Sequence, residues 1–173
     1  MSLVEQISLG RKIVSVTARE IGANIKALNL YPFGIFYGRE AGAPHPHFAL
    51  NKRPILLVHG IMHNASAFIP LKRQMADEGW KNIFSINYAT RHGSLTKMVD
   101  ILSARVDEII NITQSPQIDI VAHSLGGIIS RYYMTIGSGR GKVHHLVTLG
   151  TPHRGTPLSF FVRGGLLGGL NTD

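Results

Sequence analysis

Two kinds of apolar pattern alternate along the middle of this chain. Short unbroken runs rich in Ile, Leu and Val are separated by longer stretches in which apolar positions recur every three or four residues. The first pattern predicts strands buried on both faces, and the second predicts amphipathic helices. The runs are Pro54-Ile55-Leu56-Leu57-Val58, ending in His59-Gly60-Ile61; Asn82 to Tyr88, with Ile83, Phe84 and Ile86 inward; Ile118-Asp119-Ile120-Val121-Ala122-His123; and Val143 to Leu149. Between them, Ser66 is placed to cap a helix through about Glu78, with Phe68, Leu71 and Met75 inward, Pro70 tolerable near the first turn and Gly79 at its end. Residues 95 to 112 form the clearest helix, with Leu95, Met98, Leu102, Val106, Ile109 and Ile112 on one stripe and Asp100, Arg105, Asp107 and Glu108 on polar faces. A third helix runs from Gly126 to about Ile136. Strict alternation of strand and helix predicts an α/β fold, a mostly parallel sheet with helices on both faces.

Upstream the texture changes. Residues 1–30 read as an amphipathic helix, since Leu3, Ile7, Val14, Ile21, Ile25 and Leu28 fall three, four or seven apart. Three roles are open to it: docking on the core, lying in a membrane interface, or pairing with another helix. Residues 31–53 carry Pro and Gly at turn spacing and read as a linker or edge segment, with Phe33, Ile35 and Tyr37 alternating. His45 and His47 sit among prolines without a following carboxylate, so they read as a solvent loop rather than a metal site. The core is assigned to residues 54–173.

Composition narrows the picture only at its edges. A 44% hydrophobic content over 173 residues suits one globular domain with a sizeable core. There is no cysteine, which excludes disulfides and thiolate metal sites. A net charge of +8 favours anionic surfaces, but the Lys and Arg residues are spread along the chain, so no nucleic-acid partner is expected. Peripheral membrane contact is expected, if anywhere, through residues 3–28. Lys and Arg are absent before Arg11, and Gly10-Arg11-Lys12 interrupts the apolar stretch, so no secretory signal is expected. Location is accordingly read as cytoplasmic or peripherally membrane-associated.

The chemistry centres on Ala122-His123-Ser124-Leu125-Gly126-Gly127. A strand run meets a small-X-Ser-X-Gly turn and a helix begins at once, which is the arrangement of a nucleophile elbow. Ala122 and Gly126 are small because the corner folds the backbone back on itself. Ser124 is thereby held at the carboxyl edge of the sheet and at a helix N-terminus, where free N–H groups favour a developing anion. Two further strands lead into loops at the same edge, one at His59-Gly60-Ile61 and one at Thr148-Leu149-Gly150-Thr151-Pro152-His153-Arg154-Gly155.

These three segments, in this order, resemble the α/β-hydrolase superfamily and within it the bacterial triacylglycerol lipases and related esterases. The resemblance covers about residues 54 to 160. It implies Ser124 as nucleophile, with an oxyanion hole made by the backbone N–H groups of Ile61 and Leu125. His59, Gly60, His123, Gly126 and His153 would support the loops. It also implies an ester or lipid substrate, no cofactor and no metal, and a tail from Gly155 onward that begins a lid-like segment.

A serine nucleophile needs a base and an orienting acid, in the chain order serine, acid, histidine. After Ser124 the only carboxylate side chain is Asp173, and the only histidines are His144, His145 and His153. His144 and His145 open a strand whose other end reaches the active edge, and His153 matches a structural turn of the family. His59 is expected to pin its own loop and His123 to diverge from Ser124. The expectation is therefore a C-terminally incomplete hydrolase, with nucleophile and oxyanion hole but without acid and base, inactive as this chain alone. The alternatives are an acyltransferase or amidase of the same fold, or a non-catalytic protein that keeps the scaffold for binding.

Overall fold

The structure, a computed structural model, describes residues 52–90 and 94–155. The expected helix at 3–28, the alternating residues 33–37, His45, His47, most of the lid-like tail and Asp173 lie outside them. Four parallel strands form one sheet: β1 (Ile55–Val58), β2 (Ile83–Ser85), β3 (Ile118–His123) and β4 (Val143–Leu149). Their spatial order is β2-β1-β3-β4. Parallel neighbours require long crossovers, and three helices supply them: α1 (Ile69–Asp77), α2 (Leu95–Thr113) and α3 (Leu125–Thr135).

Each face of the sheet is covered by helix. Leu56 and Val58 of β1 and Ile118, Ile120 and Ala122 of β3 pack with Met98, Leu102, Val106 and Ile109 of α2 and Ile129 and Tyr133 of α3. Ile55, Leu57 and Val121 face the other way, against Phe68, Leu71 and Met75. Leu102, Val106 and Ile109 are fully buried, each worth about 1.5–3 kcal/mol of apolar transfer. Of the two inner strands, β1 is buried throughout, as its unbroken apolar run requires. Among the described residues β4 lies at the sheet edge, with Val147 and Leu149 exposed.

Several local expectations are corrected. Ser66 does not cap α1, which follows Phe68 without a side-chain cap bond; Asn64 instead caps the turn before it, its Oδ1 accepting from the Ser66 backbone N–H at 3.0 Å and from Ser66 Oγ at 2.6 Å. A 3-10 turn, Ala65–Phe68, precedes the α-helix, and Pro70 falls in the first turn of α1. Only Ile83–Ser85 of the segment 82–88 pairs as strand, and Ile83 and Phe84 are half-buried while Ile86 is buried beyond the pairing. Arg105 is buried, not on an open polar face. Its guanidinium is paired with Glu108 at 2.7 Å and donates to the Ser85 carbonyl at 3.4 Å, which makes burial of the charge tolerable. Thr113, rather than the half-buried Ile112, fills the last inward position of α2, with its hydroxyl donating to the Ile109 carbonyl at 2.7 Å.

Candidate active site

Strand β3 ends at His123 and α3 begins at Leu125, so the reversal between them falls on one residue, Ser124. Its φ of 52° and ψ of −121° lie in a region that L side chains rarely adopt, at a cost of about 1–3 kcal/mol. Three hydrogen bonds hold the corner. The Ser124 N–H donates to the Leu149 carbonyl at 2.9 Å, and the Ser124 carbonyl accepts from the Gly127 N–H and the Thr151 hydroxyl, both at 3.0 Å. The ends of β3 and β4 are thus tied directly to the strained residue.

Glycines permit the close approach. A β-carbon at Gly126 would stand 2.5 Å from the Val58 carbonyl oxygen and 2.7 Å from that of His59, so α3 can start against the end of β1 only without one. One at Gly60 would stand 2.9 Å from Ser124 Cβ and 3.1 Å from His123 Nδ1. One at Gly127 would strike the Thr151 side chain. Ala122, directly before the corner, is fully buried. The loops after β1, β3 and β4 therefore meet around Ser124, which is itself half-exposed.

The loop after β1 is braced by the segment that follows β2. His59 is 1% exposed and stacks on the Tyr88 ring at 4.1 Å and 13°. Its Nδ1 lies 2.9 Å from the Gly60 carbonyl and its Nε2 lies 3.4 Å from the Tyr88 N–H, a pair of bonds satisfied by the neutral Nδ1–H tautomer. The Tyr88 hydroxyl donates to the His59 carbonyl. Burial lowers the pKa of His59 to about 4, opposed by the bond to Gly60 and assisted by His63 and His123. Farther along, the Met62 N–H donates to Thr90 Oγ1 at 3.0 Å, and the Ala65 N–H donates to Asn87 Oδ1 at 2.7 Å.

Ile61 follows Gly60, whose α-carbon abuts Ser124, and Leu125 follows Ser124 itself. Leu125 opens α3, so its N–H is among those that no helix carbonyl accepts. His123 lies on the strand side of the corner, half-buried, with its ring edge-on to His63 at 5.9 Å. His153 is occupied on both ring nitrogens: Nδ1 lies 2.9 Å from the Arg131 guanidinium and Nε2 3.0 Å from Thr148 Oγ1. Among the described residues, no side chain forms a hydrogen bond with Ser124 Oγ.

His144 and His145 stand at the opposite end of β4, roughly 16 Å away at strand rise, grouped with Asp119. Thr151 and Tyr88 are further contributors, beyond the site residues expected from the sequence. Thr151 had a visible signal, since a hydroxyl residue directly after a strand and before proline is well placed for a local bond. Tyr88 had none.

A parallel sheet with a strained serine at the turn from strand to helix defines the α/β-hydrolase fold of lipase and esterase type. The lipase BlEst2 of Bacillus licheniformis shares it. Its mature form is 26% identical, with a TM-score of 0.58 over 72% of this chain and 49% of that one. Its propeptide form is 27% identical, with a TM-score of 0.60 over 70% and 27%. The chain belongs to the family described as Domain of unknown function (DUF7379), whose model matches residues 36–161.

Among curated proteins it is similar to triacylglycerol lipases. That of Burkholderia plantarii is 25% identical over 125 residues, 67% of this chain and 34% of the lipase. That of Vibrio cholerae is 24% identical over 148 residues, 80% and 45%. The chain thus spans less than half the length of these relatives. No described helix is long and apolar enough to cross a membrane.

Proposed function

We propose that this chain carries the nucleophile and oxyanion hole of a serine carboxylic ester hydrolase of the lipase and esterase kind. The observation that supports this most is the backbone of Ser124, strained yet held by three hydrogen bonds, two from the end of β4 and its loop and one from the first turn of α3. The similarity to proteins named lipase supports a hydrolase function in general.

In this reading Ser124 Oγ attacks the ester carbonyl carbon, forming a C–O bond while the carbonyl π pair moves onto oxygen. The resulting oxyanion accepts from the Ile61 and Leu125 N–H groups, aided by the positive end of α3. Collapse of the tetrahedral species re-forms the carbonyl and expels the alcohol, and water then releases the acid by the same route. A histidine must take the serine proton and pass it to the leaving alcohol. His59 is ill suited, because burial and its two partners keep it neutral and fixed, and His153 is engaged by Arg131 and Thr148. The base and its acid are assigned to sequence outside residues 52–155.

The direct test is hydrolysis of p-nitrophenyl esters by the protein expressed from its complete gene. Ser124→Ala is expected to lose at least ~10⁴-fold in kcat with KM little changed. Retention of turnover by that variant would remove the assignment. Membrane contact through residues 3–28 belongs to the same reading as a means of reaching lipid substrate. Sedimentation with anionic liposomes, with and without residues 1–30, tests it, and equal sedimentation would remove it.

A further inference from the structure

At the end of the sheet away from Ser124, a break in the strand register gathers three potential metal ligands. The β3–β4 pairing matches Ile118 with Val143 and then Asp119 with His145, so His144 is the extra residue of a bulge. Consecutive residues of a regular strand point to opposite faces, which would part the two imidazoles. The bulge instead re-aims them, and both rings close on Asp119, perpendicular to each other with centroids 4.0 Å apart.

We propose that Asp119, His144 and His145 bind a transition-metal dication such as Zn²⁺, Co²⁺ or Ni²⁺, which ties β3 to β4. The ligand atoms are already spaced for one ion. Asp119 Oδ1 lies 3.1 Å from His145 Nδ1 and 3.5 Å from His144 Nδ1, and the two nitrogens are 2.8 Å apart. Zinc bonds of about 2.0–2.1 Å set neighbouring ligand atoms roughly 2.9 Å apart at right angles and roughly 3.4 Å apart at tetrahedral angles. The three observed separations span that range. Two imidazoles and one carboxylate select metals of borderline softness over Mg²⁺ or Ca²⁺, which prefer oxygen alone.

Arg53 competes for the same position. Its guanidinium lies 2.8 Å from His144 Nδ1 and 3.6 Å from Asp119 Oδ2. The neutral His144 Nδ1 has one lone pair, yet both Arg53 and His145 Nδ1 lie within hydrogen-bond distance of it. An ion would accept lone pairs from His144, His145 and Asp119 together and release Arg53, whose side chain is 39% exposed, into solvent. The His145 side chain is 64% exposed, so the remaining coordination positions are open to water. At roughly 16 Å from the serine the ion would take no part in ester chemistry, and it acts by stabilising the native sheet.

The test is titration of the protein with Co²⁺, read by visible absorption, followed by displacement with Zn²⁺ and by thermal unfolding with and without Zn²⁺. One displaceable Co²⁺ per chain is expected, weakened at least ~10-fold in His145→Gln and in Asp119→Asn, and unchanged when His45 and His47 are both replaced by Gln. Arg53→Ala is expected to bind at least as tightly as the parent. Because His145 is exposed, His145→Gln folds without the ion, and Zn²⁺ should raise the unfolding temperature of the parent but not of this variant. Absence of Co²⁺ absorption, equal affinity in His145→Gln, or loss of binding in Arg53→Ala or in the His45 and His47 variant would overturn the proposal. None of these outcomes bears on Ser124.

Discussion

Gly60 touches Ser124: a β-carbon added to the glycine would stand 2.9 Å from that of the serine, inside the closest distance such atoms keep. The contact joins the end of β1 to the corner after β3. Ile61, whose N–H is a proposed oxyanion donor, is the next residue in the chain. Gly60→Ala must therefore push the loop and the corner apart. We expect ester turnover by the protein expressed from its complete gene to fall roughly 10²-fold in kcat, the cost of misplacing an oxyanion donor, with KM changed far less. Turnover within a factor of two of the parent would separate this loop from catalysis.

The same crowding predicts a stability effect at Gly126. A methyl group there meets backbone oxygens of Val58 and His59, which cannot swing aside as a side-chain tip would. Gly126→Ala is expected to destabilise the fold by about 1–3 kcal/mol, read from the urea midpoint at constant slope. A midpoint equal to the parent's would mean that α3 does not begin against β1 as described.

The buried histidine gives a pH dependence with a definite sign. His59 has a pKa of about 4 in the folded protein against an ordinary 6.5. Between these values the unfolded chain binds the extra proton and the folded chain does not, so stability falls as pH falls. The contribution is fully present above about pH 6.5 and is lost by about pH 4, amounting to roughly 3 kcal/mol. Urea unfolding across that window should show a shallower pH slope in His59→Gln than in the parent. Equal slopes would contradict the buried, neutral state of this ring.

Thr151 offers a third handle on the corner. Its hydroxyl donates to the Ser124 carbonyl at 3.0 Å and its side chain fills the space left by Gly127. Thr151→Val keeps the shape and removes the bond. We expect a loss of about 1 kcal/mol in stability and a drop in kcat without a matching rise in KM. No change in either would show that the β4 loop does not brace the serine.

Patterns local in sequence were the ones that could be read from it. The run Val143 to Leu149 is the strand β4 to the residue, and the stripe from Leu95 to Ile109 is the buried face of α2, because in each case neighbouring residues alone set the period. Asn82 to Tyr88 misled because Ile86 and Tyr88 are buried for other reasons: Ile86 joins the core beyond the last paired residue, and Tyr88 stacks on His59. Arg105 misled because its burial depends on Glu108 one helical turn away and on the Ser85 carbonyl of strand β2. The elbow was legible as a motif, whereas the hold on Ser124 by Leu149 and Thr151 depends on strand pairing that no spacing reveals. The grouping of Asp119 with His144 and His145 was hidden for the same reason, since it requires a bulge.

If Ser124 is an activated nucleophile, it must be open to covalent capture. The protein expressed from its complete gene should react with a fluorophosphonate probe at a single site, with the adduct mapped by mass spectrometry to the peptide containing Ser124 and absent from Ser124→Ala. An adduct on another residue, or equal labelling of the alanine variant, would contradict the account.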